Sequence, residues 1–395
     1  MTSWAGEPGQ GPPEREIPPL GWIVLKVVQR CNLNCTYCYV YNRGDDSWAE
    51  RPNLISDEVA VALAGRIREQ CATYSLDEFV IELHGGEPLL LGKRRMRHLV
   101  ELLRRECAGV HLKVIMQTNG LLLDHQWLEL FDELGITFGL SLDGPAALAD
   151  RFRVRLDGRG STEELLAKVH TLRAASPLFD RTNTGVLCVA NPDADGGALV
   201  RWFSEQGFRA FDFLLPDGNY ANLPPGWRGA EPYRRFLVSA FEEWYGMGKA
   251  APRIRTFEVM IRAFMGERPV LDALGGDLRA LCVVETDGSI GISDVARICG
   301  GKFSRDTLNV FEHRLDMHAE GYGLDEIQAP CDSCRRCPYV DNVGGGFLPH
   351  RFDGASFDNP SIYCPALCGL AEVIYEHLRE DVPGELWKVK VDVAG

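Results

Sequence analysis

The sequence predicts an α/β fold with a parallel sheet, in the form of a partial barrel of about six strand–helix units. Strand-like and helix-like segments alternate over about 200 residues, which is typical of βαβ units. Motif residues follow the ends of several predicted strands, where an α/β barrel builds its site. From Cys282 onward, glycine-rich loops and cysteines predict a smaller module that metal ligation holds together.

Short apolar runs predict the strands of this sheet, and amphipathic stretches between them predict the helices. The predicted strands are 21–28, 78–84, 111–117, 136–142, 184–190 and 210–215. The predicted helices are 56–72, 95–107, 124–134, one that begins at Ser161, 198–206, a helical region over 230–268 and a closing helix over 366–379. Ser161 and Glu164 have the spacing of a capping box, which predicts how the fourth of these helices begins.

The composition is that of a soluble globular protein, with 45% hydrophobic and 25% charged residues in a chain of 395. Five prolines and no apolar core in residues 1–19 predict a disordered N-terminal tail. We expect the barrel over 20–230, a helical linker over 231–275, and an auxiliary module with a C-terminal helix over 276–395.

Charge and hydropathy exclude two classes of partner. The formal net charge of −14 argues against nucleic-acid binding, which needs a basic face. No apolar stretch approaches the length of a membrane span, and the N-terminus lacks the pattern of a signal peptide. We therefore expect a cytoplasmic protein without a membrane partner.

The chain has thirteen cysteines, and without a secretory signal a disulfide framework is not expected. Cys71, Cys107 and Cys188 lie in apolar, periodic segments, where free cysteine packs as a small hydrophobic residue. The other ten fall into two groups, one near the N-terminus and one in the last third of the chain. These two groups are the candidates for metal ligation.

The first group is the triad Cys31-x3-Cys35-x2-Cys38, which follows the first predicted strand. Three thiolates can hold three irons of a [4Fe–4S] cluster, and the fourth iron is then free to bind and reduce a small molecule. The alternative is a zinc knuckle, but zinc prefers four ligands and no convincing fourth ligand is near in the sequence. The spacing favours radical chemistry on S-adenosylmethionine (SAM).

With this triad, the chain resembles the radical SAM superfamily over most of residues 20–370. The resemblance implies a partial (β/α)6 TIM barrel in which Cys31, Cys35 and Cys38 bind the cluster and SAM chelates its open iron. It also implies that a 5′-deoxyadenosyl radical abstracts hydrogen from the substrate, and that an electron donor such as flavodoxin or ferredoxin reduces the cluster.

The resemblance also assigns SAM-binding residues at the ends of later strands. The Gly85-Gly86-Glu87-Pro88 turn receives the methionyl ammonium, and Tyr37 packs against the adenine. His84 either touches a ligand or ends its strand, and a surface salt bridge is the alternative for Arg153. The SAM-binding set implied by the resemblance is Tyr37, Gly85, Gly86, Glu87, Asn119, Ser141, Arg153 and Leu187.

The C-terminal part resembles a SPASM domain, the auxiliary-cluster module of peptide-modifying radical SAM enzymes. The stretches 344–351 and 357–364 look most like maturases that form cyclophanes. The chain departs from the usual pattern at Ser293 and Val343, where cysteines are common. Seven candidate ligands remain: Cys282, Cys299, Cys331, Cys334, Cys337, Cys364 and Cys368. Two fully ligated clusters need eight, so the sequence allows one or two auxiliary [4Fe–4S] clusters, and a structural zinc site is the alternative.

The resemblance predicts a maturase that installs a C–C cross-link, a cyclophane, in a ribosomally synthesised precursor peptide. Asp294 and Asp217 are candidates for the general base, and a loop or turn role is the alternative for each. Other possible products are a thioether, an epimerised residue or a formylglycine, and a non-catalytic Fe–S or zinc scaffold is a third hypothesis. The chain has no room for a leader-binding winged-helix domain, so a separate leader-binding protein is a possible partner.

Overall fold

A computed structural model describes residues 19–300, 303 and 307–381 of the chain. The predicted N-terminal tail, apart from Pro19, lies outside these residues. One ten-stranded sheet forms the frame, in the order β10-β9-β8-β1-β2-β3-β4-β5-β6-β7. Its strands are β1 (Trp22–Val28), β2 (Glu78–Gly85), β3 (His111–Thr118), β4 (Ile136–Ser141), β5 (Asn183–Val189), β6 (Ala210–Leu214), β7 (Arg253–Ile254), β8 (Leu281–Val284), β9 (Ser289–Gly291) and β10 (Leu308–Asn309).

The strands from β1 to β7 are all parallel, and the first six alternate with helices as predicted. The partial barrel is therefore confirmed. The α-helices of the described chain are α1 (Asp57–Tyr74), α2 (Lys93–Glu106), α3 (His125–Glu133), α4 (Ala146–Ala149), α5 (Thr162–Ala175), α6 (Leu178–Thr182), α7 (Gly196–Glu205), α8 (Glu231–Gly246), α9 (Arg255–Phe264), α10 (Met317–Gly321), α11 (Leu324–Ile327), α12 (Asp332–Arg335), α13 (Val340–Val343) and α14 (Cys364–Asp381).

The sheet continues beyond the barrel into the C-terminal part of the chain. Strand β8 pairs in parallel with β1, with Cys282 opposite Ile23, and β9 and β10 follow as antiparallel strands. Residues on both sides of the boundary predicted at 276 therefore share one sheet. The final helix α14 packs on α8, which joins the C-terminal part to the barrel a second time.

Strand β1 shows how the sequence separates the core from the interior of the barrel. Ile23, Leu25 and Val27 are fully buried, and they alternate with Val24 and Lys26 on the opposite face. Because successive side chains point to opposite faces of a strand, Lys26 lies on the inner side of the barrel. We call the space inside the barrel the lumen.

The capping box predicted at Ser161 is wrong. The Ser161 hydroxyl donates instead to the backbone carbonyl of Arg153, at 3.0 Å. Asp150, from the preceding turn, accepts the backbone N–H groups of Ser161 and Thr162, at 3.0 Å each. The Asp150 carboxylate, which lies outside α5, thus accepts the first backbone N–H groups of that helix. The same contacts fix the loop that carries Arg153.

The three cysteines predicted to be core residues, Cys71, Cys107 and Cys188, are all buried, which confirms that prediction. Within the described ranges, no helix has the length and apolarity that crossing a membrane requires.

Candidate active site

The triad cysteines lie in the loop that follows β1, at the carboxyl end of the parallel strands. All three thiols are free and partly exposed. The loop is fixed to the segment after β4, because Thr36 N–H donates to the Phe152 carbonyl at 2.9 Å. Burial raises the pKa of Cys31 to about 12 and that of Cys35 to about 11. A metal centre deprotonates a coordinating thiol outright, so three thiols in one loop fit an iron–sulfur cluster.

The glycine pair after β2 packs directly against this cysteine loop. Gly86 N–H donates to the Val28 carbonyl and Glu87 N–H donates to the Arg30 carbonyl, each at 2.9 Å. A Cβ atom at Gly86 would lie 2.1 Å from the Tyr41 hydroxyl and 2.2 Å from the Arg30 carbonyl oxygen. Residue 86 must therefore be glycine for the two loops to approach each other.

Glu87 is buried and joins the ends of β2 and β3. Its carboxylate accepts the Thr118 hydroxyl at 2.6 Å, the Asn119 backbone N–H at 2.8 Å and the Leu89 backbone N–H at 3.0 Å. Burial raises the pKa of Glu87, and these hydrogen bonds oppose that rise. Its oxygens are thus engaged within the protein, and Glu87 positions the strand ends around the site.

Two more predicted SAM-binding side chains lie at the ends of β3 and β4. The Asn119 side-chain amide donates to Asn32 Oδ1 at 2.8 Å and contacts Cys31 Sγ at 3.8 Å. Ser141 Oγ accepts from Gln117 Nε2 at 2.8 Å. Asn119 therefore touches the cysteine loop, and Ser141 follows one strand further along the same edge of the sheet.

Leu187 lies on β5, opposite Ser141 in the register. Its carbonyl accepts the backbone N–H of Leu142 at 3.1 Å, so that oxygen already has a partner in the sheet.

Tyr37 forms a buried cluster with Asp143 and Arg153. The Tyr37 hydroxyl donates to Asp143 Oδ2 at 2.5 Å and accepts from Arg153 Nη1 at 2.9 Å. Arg153 is only 7% exposed, so the surface salt bridge considered for it is wrong. The guanidinium charge also opposes the burial that raises the pKa of Cys35. Arg153 thus brings a positive charge beside the triad.

A cavity of about 330 Å³ opens beside Tyr37. Leu148, Phe152 and Pro216 make much of its wall apolar, and Asn191 lies on its lining. The Asn191 side-chain nitrogen is buried and has no hydrogen-bond partner among the described residues. Since an unpaired buried donor is costly, an acceptor on a bound ligand suits this position. Among the described residues that line the cavity, Tyr37 is the one predicted to bind SAM, and the triad cysteines lie outside the lining.

The lumen holds a polar cluster around Asp294, one of the two predicted bases. Lys26 Nζ lies 2.7 Å from Asp294 Oδ2 and 3.0 Å from His84 Nδ1. The Tyr39 hydroxyl donates to the same Asp294 oxygen. Burial raises the pKa of Asp294, but the charge of Lys26 and these hydrogen bonds outweigh it, and the pKa lies well below its ordinary value. Asp294 is therefore held as a carboxylate.

His84, which the sequence left open, is a neutral partner of the Lys26 ammonium. Burial, and then the charge of Lys26, lower the pKa of His84 to about 4. Glu82 follows two residues earlier on the same strand and accepts from Trp22 Nε1 at 3.2 Å. Burial, together with the Asp294 charge, raises the pKa of Glu82 to about 7. Asp294 and His84 are site candidates from the sequence, and the lysine inside the apolar first strand is a further sequence signal for this cluster.

The second candidate base, Asp217, has a different partner. Its carboxylate lies 3.4 Å from His350 Nε2, in the C-terminal part of the chain. The two predicted bases therefore contact different groups.

Five of the seven candidate auxiliary ligands gather in one place. The Cys331 and Cys334 sulfurs are 3.3 Å apart, those of Cys364 and Cys368 are 3.7 Å apart, and those of Cys337 and Cys368 are 3.8 Å apart. The two sets are neighbours, because the charge of Cys364 contributes to raising the pKa of Cys334. We call these residues the five-cysteine group. Cys282 and Cys299 take no part in these contacts. In the described part of the chain, no three His, Cys, Asp or Glu side chains converge to hold a single metal ion.

The part of the chain that contains the triad and the glycine pair matches a known protein family. Residues 25–187 match the Radical SAM superfamily. The cysteine-type anaerobic sulfatase-maturating enzyme of Clostridium perfringens is 27% identical over 290 residues, covering 69% of this chain and 74% of that protein. The serine-type enzyme of Bacteroides thetaiotaomicron is 24% identical over 367 residues, covering 87% and 86%.

Two solved structures have the same fold. Native anSMEcpe with bound AdoMet has a TM-score of 0.77 at 22% identity, covering 91% of this chain and 98% of that one. Streptococcus suis SuiB bound to precursor peptide SuiA has a TM-score of 0.58 at 14% identity, covering 88% and 76%. The cofactors of this domain are SAM and a [4Fe–4S] cluster. The chain therefore contains a radical SAM domain and is a radical SAM enzyme.

Proposed function

We propose that this enzyme modifies a ribosomally synthesised precursor peptide by joining a side-chain carbon to an aromatic ring, which forms a cyclophane. The observation that carries the proposal is the arrangement of the lumen, where the buried Asp294 carboxylate pairs with Lys26 and accepts the hydroxyl of Tyr39, the residue that follows Cys38 of the triad. Forming this bond removes two hydrogens from the peptide, so the site must accept a hydrogen atom, a proton and an electron.

SAM, when bound at the triad, supplies the radical that takes the hydrogen atom from the side-chain carbon. Asp294 is the candidate acceptor for the ring proton. Lys26 and Tyr39 keep its carboxylate ionised and oriented, and they also make it a weak base while their contacts persist. A substrate that draws Lys26 away strengthens the base at the moment of reaction. The remaining electron passes to an auxiliary cluster.

The choice of a cross-link rests on the C-terminal stretches 344–351 and 357–364, which look like those of cyclophane-forming maturases. Arg351 ties these two stretches together, because its buried guanidinium donates to the carbonyls of Phe357 and Asn359. The segments that carry the resemblance thus pack as one unit around the five-cysteine group.

Formylglycine formation is the second candidate function. It is favoured by the similarity to sulfatase-maturating enzymes of both the cysteine and the serine type. A sulfatase would then replace the precursor peptide as substrate.

The test is a search for a short precursor gene beside this one, followed by coexpression of the two and mass spectrometry of the peptide. We expect a loss of two hydrogens and missing fragment ions between the linked residues. Because serine-derived formylglycine also loses two hydrogens, an aminooxy probe is added, which labels the aldehyde and leaves a cross-link unlabelled. Labelling would replace the cross-link proposal with formylglycine formation.

Two variants probe the roles of the residues. Cys35→Ala removes a triad thiol, and we expect no 5′-deoxyadenosine from SAM and reductant. Asp294→Asn should keep forming 5′-deoxyadenosine while product falls by about 100-fold or more, since a general base contributes that much. Asp217→Asn is the matched control and should keep most of the product. The opposite ranking of the two variants would move the base to Asp217.

The electron donor, the separate leader-binding protein and the cytoplasmic location stay predictions from the sequence.

A further inference from the structure

We propose that this protein holds one auxiliary [4Fe–4S] cluster, bound by the five-cysteine group, and that Cys282 and Cys299 bind no iron. A fully ligated cluster takes four thiolates, and two clusters take eight. The structure brings together enough thiols for one cluster and sets the remaining two candidates in other surroundings.

Cys282 lies in the hydrophobic core. It is fully buried in β8, and its register partner on β1 is Ile23, which is also fully buried. Its pKa is raised well above the ordinary value by burial. A thiol that faces such an environment packs as a small hydrophobic residue, as Cys188 does in β5.

Cys299 is engaged by protein groups instead of other cysteines. Its sulfur accepts from Asn219 Nδ2 at 3.8 Å, and the thiol contacts the Pro349 carbonyl at 3.7 Å. The same Asn219 amide also donates to the Ile298 carbonyl at 3.3 Å. The thiol is thereby fixed at the junction between β6 and the C-terminal part.

Ion pairs hold the segment that a second auxiliary cluster would otherwise anchor. Arg297 is buried and pairs with Asp45, at 3.0 Å, and with Glu285. Asp294 pairs with Lys26 in the same way. The segment between β9 and Cys299 is thus tied to the barrel by buried charges, and metal ligation is not needed to place it.

The five-cysteine group, in contrast, is built to hold a metal centre. Arg351 is buried, and its guanidinium donates to carbonyls of residues 328–329, just before Cys331, and of residues 357–359, just before Cys364. One side chain therefore fixes both cysteine-bearing segments relative to each other. The positive charge close to the thiols also favours their ionised form.

The consequence concerns the role of the cluster. Five thiols can ligate all four irons and leave one thiol over, so no iron needs an open site for substrate. We infer that the auxiliary cluster transfers electrons and does not bind the peptide.

Iron counting after anaerobic reconstitution tests the proposal. The triad variant Cys31→Ala/Cys35→Ala/Cys38→Ala should bind about 4 irons per chain, compared with about 8 for the wild type. Its reduced form should show one cluster signal in electron paramagnetic resonance, integrating to about one spin per chain. A count of about 8 irons in the triad variant would overturn the proposal.

Further substitutions in the triad variant assign the ligands. Cys282→Ala/Cys299→Ala should leave the iron count unchanged, and a fall towards zero would overturn the proposal. Cys331→Ala/Cys334→Ala/Cys364→Ala leaves only two thiols of the five-cysteine group and should abolish iron binding, and retention of the full count would also overturn the proposal. If this last protein fails to fold, the count in the triad variant alone still separates one cluster from two. Iron content does not depend on the product formed, so this result is independent of the proposed cross-link.

Discussion

A single lysine in the first strand organises the polar cluster of the lumen. Lys26 is 2% exposed and contacts Asp294 and His84, on elements distant in the chain. A buried cation is tolerated only with a partner, because desolvation costs several kcal/mol per ion. The strand residue and the predicted base are therefore interdependent.

We expect Lys26→Met to destabilise the protein by about 3–5 kcal/mol, because it leaves Asp294 buried without its cation. The double variant Lys26→Met/Asp294→Leu should recover most of that loss, since replacing both charges is close to neutral. Urea unfolding of the wild type, the two single variants Lys26→Met and Asp294→Leu, and the double variant measures this. A double variant as unstable as the sum of both single changes would contradict a paired role.

We expect Glu82 to make the stability of the protein depend on pH, and we expect Glu82→Gln to remove that dependence. Its folded-state pKa of about 7 lies above the ordinary value near 4.5, so the folded protein binds the extra proton between these values. The protonated Glu82 side chain therefore makes its full contribution to the free energy of unfolding below its ordinary pKa, and this contribution is lost as the pH rises through 7. We expect Glu82→Gln to match the wild type at low pH and to be more stable at pH 8, by at most about 3 kcal/mol.

Urea unfolding at pH 5 and pH 8 measures the difference. An equal difference at the two pH values would show that Glu82 does not titrate in this range.

At the scale of elements, short loops decide which strand ends can meet. The turn after β2 touches the cysteine loop so closely that Gly86 has no room for a side chain. Arg351 has the equivalent role in the C-terminal part, where it joins the two cysteine-bearing segments.

We expect Gly86→Ala to disturb the cysteine loop and to lower the iron bound by the triad by at least about half, since its Cβ meets backbone and a hydroxyl. Gly65→Ala is the matched control. It lies inside α1 with no atom within 4 Å of its added Cβ, and it should stabilise the protein by about 0.5–1 kcal/mol. Iron content and thermal unfolding of both variants test this, and full iron content in Gly86→Ala would contradict it.

Arg351→Gln should cost the auxiliary cluster most of its iron, because the neutral side chain cannot make all the hydrogen bonds of the guanidinium. The control is Arg335→Gln. Arg335 is exposed, lies between Cys334 and Cys337 in the sequence, and pairs with Asp332. It should retain the wild-type iron content, since exposed ion pairs contribute little. Equal iron loss in both variants would point to general positive charge instead of the buried hydrogen bonds.

At the scale of the whole molecule, the barrel and the C-terminal part share one sheet. Strand β8 covers the edge of β1, and Arg297 pairs across the same boundary with Asp45 of the cysteine loop. The two parts therefore stabilise each other.

A chain truncated after residue 275 should not form a stable monomer. It exposes β1 as an edge strand and loses Asp294 and Arg297, the charged partners of Lys26 and Asp45. We expect aggregation or a broad, early elution in size-exclusion chromatography, with the full chain as control. A monomeric truncated protein with cooperative unfolding would show that the barrel folds independently.

Features that depend on short spacings could be predicted from the sequence. Alternating apolar runs predicted the parallel barrel, and the triad and the glycine pair indicated the site, because each lies within one loop. The capping box at Ser161 failed because Asp150, outside the local pattern, competes for the same donors.

Which distant groups meet could be seen only in the folded chain. Lys26 and Asp294 are 268 residues apart in the chain, and no local pattern pairs them. The same holds for the cysteines, where the seven candidates looked alike in sequence but five converge, one lies in the core and one contacts Asn219. Such choices depend on burial and strand pairing across the whole sheet, which bring together side chains that the sequence lists far apart.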